Sequence, residues 1–205
     1  YANDCNGHGT HVAGTAAAIN NNIGVVGVSA GARVVPVRVF RCSGGSATST
    51  ILAGVDHVGQ YDLAGDVANL SLGGYYGSGC SSNSSYRNSL LALANAGTYV
   101  AVAAGNDSST AANYQPACVN GNNIYTVASM TCNRGFSSFS NYNMNPIDVI
   151  ATGSSVRSTY LNGEYATLSG TSMASPHVAG IMHARGSGPR TAGSVNNRGE
   201  NFHIA

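Results

Sequence analysis

Charge is what this sequence has least of. Only 8% of its 205 residues are Asp, Glu, Lys or Arg, against roughly 25% in an ordinary soluble domain. A net charge of +1 offers no basic stripe for nucleic acid. No apolar run approaches the roughly 18 residues needed to cross a bilayer, so neither a nucleic-acid nor a membrane partner is expected. The five cysteines (Cys5, Cys42, Cys80, Cys118 and Cys132) include no C-x-x-C pair, which argues against a zinc site. They are either buried free thiols or one or two disulfides of a secreted protein. An odd count leaves at least one thiol unpaired or paired between chains. No signal peptide is visible, and Tyr1 does not read as a natural start.

What is abundant is small: Gly, Ala, Ser and Asn throughout, with 43% of residues apolar. That composition suits one compact domain of closely packed elements and tight loops. Five short runs read as buried strands: Val34–Phe40, Val67–Leu72, Tyr99–Ala104, Asn123–Ala128 and Ile147–Ala151. None alternates cleanly between apolar and polar, as befits parallel strands covered on both faces. Helical stretches fall between them, at Thr50–Val58 and Tyr86–Ala96, and two small-residue helices are expected at Gly9–Ala18 and Ser172–Ala184. The alternation indicates an α/β fold with a doubly wound parallel sheet. Residues 43–50, 73–85 and 106–113 read as loops. The expected division is one α/β region over 1–185 and a divergent, irregular tail over 186–205, which shows no apolar periodicity.

Two segments carry reactive residues between glycines at the mouth of a helix: Asn6–Gly14 (NGHGTHVAG) and Ser169–Gly180 (SGTSMASPHVAG). Ser172 is expected at a helix N-terminus, where unpaired N–H groups favour developing negative charge. His8 precedes its own helix in the same way. Serine is a weak nucleophile near neutral pH and needs such a base. A third segment, Ala103–Asn106 (AAGN), follows a buried strand and offers an amide donor where open α/β sheets bind ligands. Asn106 is placed to hydrogen-bond a tetrahedral oxyanion.

Together these segments resemble the signatures of the subtilisin-like serine peptidases, from about residue 3 to about residue 184 and in that family's order. The resemblance implies a three-layer fold, a mostly parallel sheet with helices on both faces. It makes His8 the general base, Ser172 the nucleophile, and Asn106 with the Ser172 N–H the oxyanion hole. Ser71, Leu72 and Gly73 match the strand that pairs with the substrate backbone, and Gly44, Gly45 and Ser46 resemble the opposing rim. Ala103 and Gly105 resemble walls of the primary specificity pocket. No cofactor is required for the chemistry. A structural calcium is implied by Ile19–Val25, through the Asn21 side chain and the carbonyls of Ile19, Ile23 and Val25. The family also implies a Cys5–Cys42 disulfide and a Cys80–Cys118 pairing, polypeptide substrates, a secreted location and a monomer. His11, His57, His177, His183 and His203 read as structural or incidental.

The pattern breaks at both ends. The family's triad aspartate lies in an Asp-Thr-Gly or Asp-Ser-Gly motif well before the histidine, and this sequence has neither motif. Asp4 is too close to His8 along the same loop to orient the far side of the imidazole and is expected to line the cleft instead. The expectation is therefore a partial domain lacking an N-terminal strand and the usual C-terminal helices, a fragment of a larger preproenzyme. A catalytically incomplete remnant that binds peptides is the alternative. An α/β-hydrolase esterase is a weaker rival: Gly170–Ala174 departs once from G-x-S-x-G, and no aspartate follows Ser172.

Overall fold

The computed structural model describes residues 3–77, 79–81 and 84–205. Three residues of the loop expected over 73–85, namely 78, 82 and 83, lie outside them. A four-stranded parallel sheet forms the centre, from β1 (Val67–Leu70), β3 (Tyr99–Ala103), β5 (Ile124–Met130) and β6 (Ile147–Thr152), in the order β1-β3-β5-β6. The interior strands read as continuous apolar runs because both of their faces are covered. On one face lie α2 (Thr48–Tyr61) and α3 (Ser85–Asn95), whose Ile51, Val55, Leu90 and Leu93 pack with Leu70, Val100, Val102 and Ile124. Each fully buried side chain such as Leu90 contributes about 2 kcal/mol. On the other face, α4 (Thr171–Arg185) presents Ala174, Val178, Ala179 and Met182 to Ala101, Val127, Val149 and Ala151. Next to α4 runs α1 (His8–Ala17). Small residues on both helices allow the close approach.

Three antiparallel pairs complete the fold. The first joins β2 (Gly74–Tyr75) to β4 (Tyr114–Gln115), and the second joins β7 (Val156–Thr159) to β8 (Tyr165–Leu168). The third joins β9 (Ser194–Asn197) to β10 (Glu200–His203) and corrects the expectation of an irregular tail. Its two-residue turn is Arg198–Gly199, both at positive φ, the geometry that matches the twist of a tight hairpin. Val195, Phe202 and Ile204 are buried against Ala128, Met130 and Ile150. The apolar residues of this segment alternate with polar ones around the turn, a strand period and not a helical one.

A second departure is Val34–Phe40. It forms no ladder among the described residues, and Val34, Val35, Val37 and Phe40 are exposed. An apolar run becomes a strand only when a neighbour takes its N–H and C=O groups. None is adjacent here. β1 is likewise an edge strand, and Val34–Phe40 lines the same groove as Val67 and Asn69 of β1.

Two disulfides are present, Cys5–Cys42 and Cys80–Cys118, while Cys132 is free and exposed. No helix among the described residues is long and apolar enough to cross a membrane.

The register between β5 and β6 slips between Thr126 and Val127, leaving Asp148 as the extra residue of a bulge. Its carboxylate accepts the Thr126 N–H at 2.8 Å. Burial pushes its pKa up to about 6, partly offset by that hydrogen bond. A carboxyl whose pKa is raised on folding stabilises the fold while protonated, and that contribution is lost as pH climbs through about 6. Asp148→Asn keeps an acceptor and removes the charge. It is expected to be about 1–2 kcal/mol more stable than the parent at pH 8 and equal to it near pH 4, by urea denaturation. Lower stability of the variant at pH 8 would contradict this account.

Candidate active site

His8, Asn106 and Ser172 line one open groove of about 1350 Å³. That volume exceeds the usual small-molecule pocket and suits an extended chain. Leu72, Gly73, Ala103, Gly105, Gly44 and Gly45 line it too. Ser71 also lines it. Ser46 is not on the groove wall. Its hydroxyl turns back to donate to the Val39 carbonyl at 2.6 Å. Ser71, Leu72 and Gly73 belong to no strand among the described residues.

Ser172 is the second residue of α4 and half-buried. Its Oγ lies 3.3 Å from the Ser71 carbonyl, to which it donates. Four residues on, Pro176 sits inside the helix. Proline has no N–H, so the Ser172 carbonyl loses its intrahelical partner. The Ser71 hydroxyl replaces it, donating to that carbonyl at 2.8 Å. Ser71 Oγ in turn accepts from Asn69 Nδ2 at 2.9 Å, and Asn69 Oδ1 accepts from Ser175 Oγ at 2.7 Å. The nucleophile's turn is thereby bonded back to the end of β1.

Asn106 is fixed by its oxygen. Its Oδ1 accepts from Thr171 N at 2.8 Å and from Thr171 Oγ1 at 3.0 Å. Thr171 Oγ1 also accepts the Gly105 N–H at 3.0 Å. With Oδ1 engaged, the amide Nδ2 makes no hydrogen bond among the described residues and is left to donate into the groove. Thr171 is fully buried; the sequence carried no sign of this role beyond its place before Ser172.

His8 opens α1, and its loop is shaped by Asp4. Asp4 Oδ1 accepts the N–H groups of Asn6 and Gly7, each at 2.9 Å, and Oδ2 accepts Thr10 N at 2.8 Å and Thr10 Oγ1 at 2.7 Å. Burial works to raise the Asp4 pKa, but the Gly7, Thr10 and Asn6 bonds prevail and hold it well below the usual carboxylate range. Asp4 thus lines the groove, as expected, and also caps a helix. The Cys5–Cys42 disulfide ties this loop to the rim at Gly44 and Gly45. Burial lowers the His8 pKa, and Asp4 partly opposes it. No carboxylate among the described residues hydrogen-bonds the His8 ring.

The residues that resemble a calcium loop would need water or further oxygens to complete a calcium shell. Asn21 Oδ1 already accepts the Ile23 N–H at 3.2 Å, and the Ile19 carbonyl accepts Asn21 N at 3.1 Å. The set is four neutral oxygens with no carboxylate, short of the six to eight oxygens calcium takes.

A serine opening a buried helix, an anchored amide and an imidazole therefore share one groove, the groups that nucleophilic chemistry at a serine uses. A serine at a helix start reached from an antiparallel hairpin is unlike the strand-to-helix elbow of the α/β-hydrolases. A family model described as the Subtilase family matches residues 1–184, and the chain belongs to that family. It is 44% identical over 180 residues to alkaline serine exoprotease A of Vibrio alginolyticus, covering 88% of this chain and 31% of that protein. It is 42% identical over 191 residues to thermitase of Thermoactinomyces vulgaris, covering 93% of this chain and 64% of that protein. A cold adapted subtilisin-like serine proteinase of known crystal structure superposes with a TM-score of 0.78 at 41% identity, over 89% of this chain and 62% of that one. The chain thus spans less than two thirds of the length of each of these relatives.

The bond between Ser71 and the Pro176-freed carbonyl is testable by a mutant cycle. Ser71→Ala is expected to cost about 1 kcal/mol by leaving a half-buried carbonyl unpaired. In a Pro176→Ala background the cost is expected to shrink, because the introduced alanine supplies the missing N–H. Strict additivity in urea denaturation would count against the account.

Proposed function

We propose that this chain carries the hydrolytic core of a secreted, monomeric serine endopeptidase acting on polypeptides. Ser172 is the nucleophile, His8 its general base, and Asn106 with the Ser172 N–H the oxyanion hole. One observation supports this most: the Asn106 oxygen is bonded to the residue beside Ser172, so its amide N–H groups and the nucleophile are held together at one helix N-terminus. In such a cycle Ser172 Oγ attacks the peptide carbonyl while His8 takes its proton. The oxyanion is met by donors already in place, which is where most of the rate arises. His8 then protonates the leaving amine, and water hydrolyses the acyl-enzyme by the reverse proton path. An extended substrate is bound by main-chain pairing with Ser71–Gly73 and the Gly44–Gly45 rim, which tolerates varied sequences. Small walls at Ala103 and Gly105 leave room for a large apolar side chain. Two disulfides and relatives such as an extracellular serine proteinase of Thermus sp. support a secreted location.

A second reading has a specific observation in its favour. Among the described residues no carboxylate meets the His8 ring to set its tautomer and stabilise the imidazolium, a loss of about 10⁴ in turnover. On that reading the chain binds peptides without cutting them. Fluorophosphonate labelling separates the two. An adduct on Ser172, absent in Ser172→Ala, is expected for the peptidase; no adduct on the wild-type chain would favour the binder. Casein hydrolysis equal in wild type and Ser172→Ala would remove Ser172 from the mechanism. Because the folded His8 pKa is depressed, the imidazole stays neutral and able to accept a proton further into acid. The acid limb of labelling is therefore expected below about pH 6.5. A limb well above that value would contradict the burial of His8.

A further inference from the structure

His11 lies one helical turn beyond His8 and is completely buried. Its Nε2 stands 3.0 Å from the Val156 carbonyl and 3.1 Å from the Ala166 carbonyl. Carbonyls only accept, so Nε2 carries the hydrogen and shares it between the two. Nδ1 is buried without a partner. The ring therefore sits in one tautomer, with its single N–H spent on the hairpin. Those two carbonyls come from different strands, Val156 opening β7 and Ala166 in β8.

The rest of the contact runs the other way. Ser158 Oγ donates to the His11 carbonyl at 2.7 Å, Thr159 Oγ1 to the Thr10 carbonyl at 2.9 Å, and Tyr160 OH to the Asn6 carbonyl at 3.0 Å. Two glycines make room. A methyl group at Gly14 would overlap Ser158 Oγ and Thr159 Oγ1, and one at Gly7 would overlap the Tyr160 ring. The hairpin is thus seated along α1 from the loop before His8 to the middle of the helix. Its other end leads to the nucleophile. β8 runs through Ser169 and Gly170 into α4, and Ser172 follows. The base of the hairpin is closed by Ser155 N donating to Ser169 Oγ at 2.8 Å and by Gly170 N donating to the Gly153 carbonyl at 2.8 Å.

We infer that His11 is a positioning residue: by gripping both strands of the β7–β8 hairpin with one N–H, it sets the placement of His8 relative to Ser172. The inference deepens the peptidase reading and rests on it for its catalytic consequence. The hairpin is hydrogen-bonded to the helix that carries His8 and continues in sequence into the helix that carries Ser172. A shift of α1 along it moves His8 while leaving Ser172 and Asn106 in place. A displacement on the scale of 1 Å is enough to cost about 10²-fold in rate.

The test uses three chains: wild type, His11→Phe, which fills the space without the N–H, and His11→Gln, which restores an N–H near the Nε2 position. Fluorophosphonate labelling of Ser172 is resolved into probe affinity and the first-order inactivation rate. His11→Phe is expected to lose about 10- to 100-fold in the inactivation rate, with affinity unchanged, and His11→Gln to recover most of it. Unchanged inactivation in His11→Phe overturns the proposal. So does an equal loss in His11→Gln, which would make ring shape and not the N–H the relevant property. Should His11→Phe fail to fold, Ser158→Ala and Thr159→Val each remove one bond of the same seat, and a wild-type inactivation rate in both overturns it. Should the wild-type chain not label, the peptidase reading fails but the positioning claim is still decided. Crystal structures of wild type and His11→Phe are then compared for the separation of the His8 and Ser172 Cβ atoms. A change of about 0.5 Å or more supports the claim, and an unchanged separation overturns it.

Discussion

The hydroxyl of Thr171 accepts a hydrogen bond from the Gly105 N–H and donates one to the Asn106 oxygen. Much of the site follows from that group being satisfied on both sides. It joins the end of β3 to the start of α4, so the strand that carries the oxyanion donor and the helix that carries the nucleophile cannot move apart without exposing buried polar atoms. An orphaned donor there would cost more than the bond itself is worth. The same logic recurs at the Ser172 carbonyl, where a proline removes one partner and a serine hydroxyl from the end of β1 supplies another.

Four central strands follow from run length, because parallel strands buried on both faces leave an unbroken apolar signature, while the helices follow from the apolar stripe of α3 and from small or apolar stretches between strands. Ends moved by a few residues, as with α2, which runs to Tyr61. Val34–Phe40 carries the same signature and forms no strand, since local composition says nothing about whether a neighbour stands beside the chain. The β9–β10 hairpin was legible in principle through Val195, Phe202 and the Arg198–Gly199 turn, but the density of Gly, Asn and Arg masked the alternation.

The residues expected to react were legible because their chemistry demands rare arrangements, a histidine and a serine each set between glycines at a helix mouth. Their supports were not. Thr171, Ser71 Oγ and Asp4 act through single hydrogen bonds whose partners are distant in sequence, as with Asn106 and Thr171. Only folding brings such pairs together. His11 shows the limit most clearly: a lone histidine on a small-residue helix reads as packing, and its link to Val156 and Ala166 spans some 150 positions of chain.

Apart from Asp4, the bonds described around His8, Asn106 and Ser172 run between hydroxyls, amides and carbonyls. Neutral dipoles at hydrogen-bond distance are barely screened by dissolved ions, whereas exposed ion pairs weaken as the Debye length contracts. A site assembled in this way keeps its shape as ionic strength rises from dilute buffer to brine.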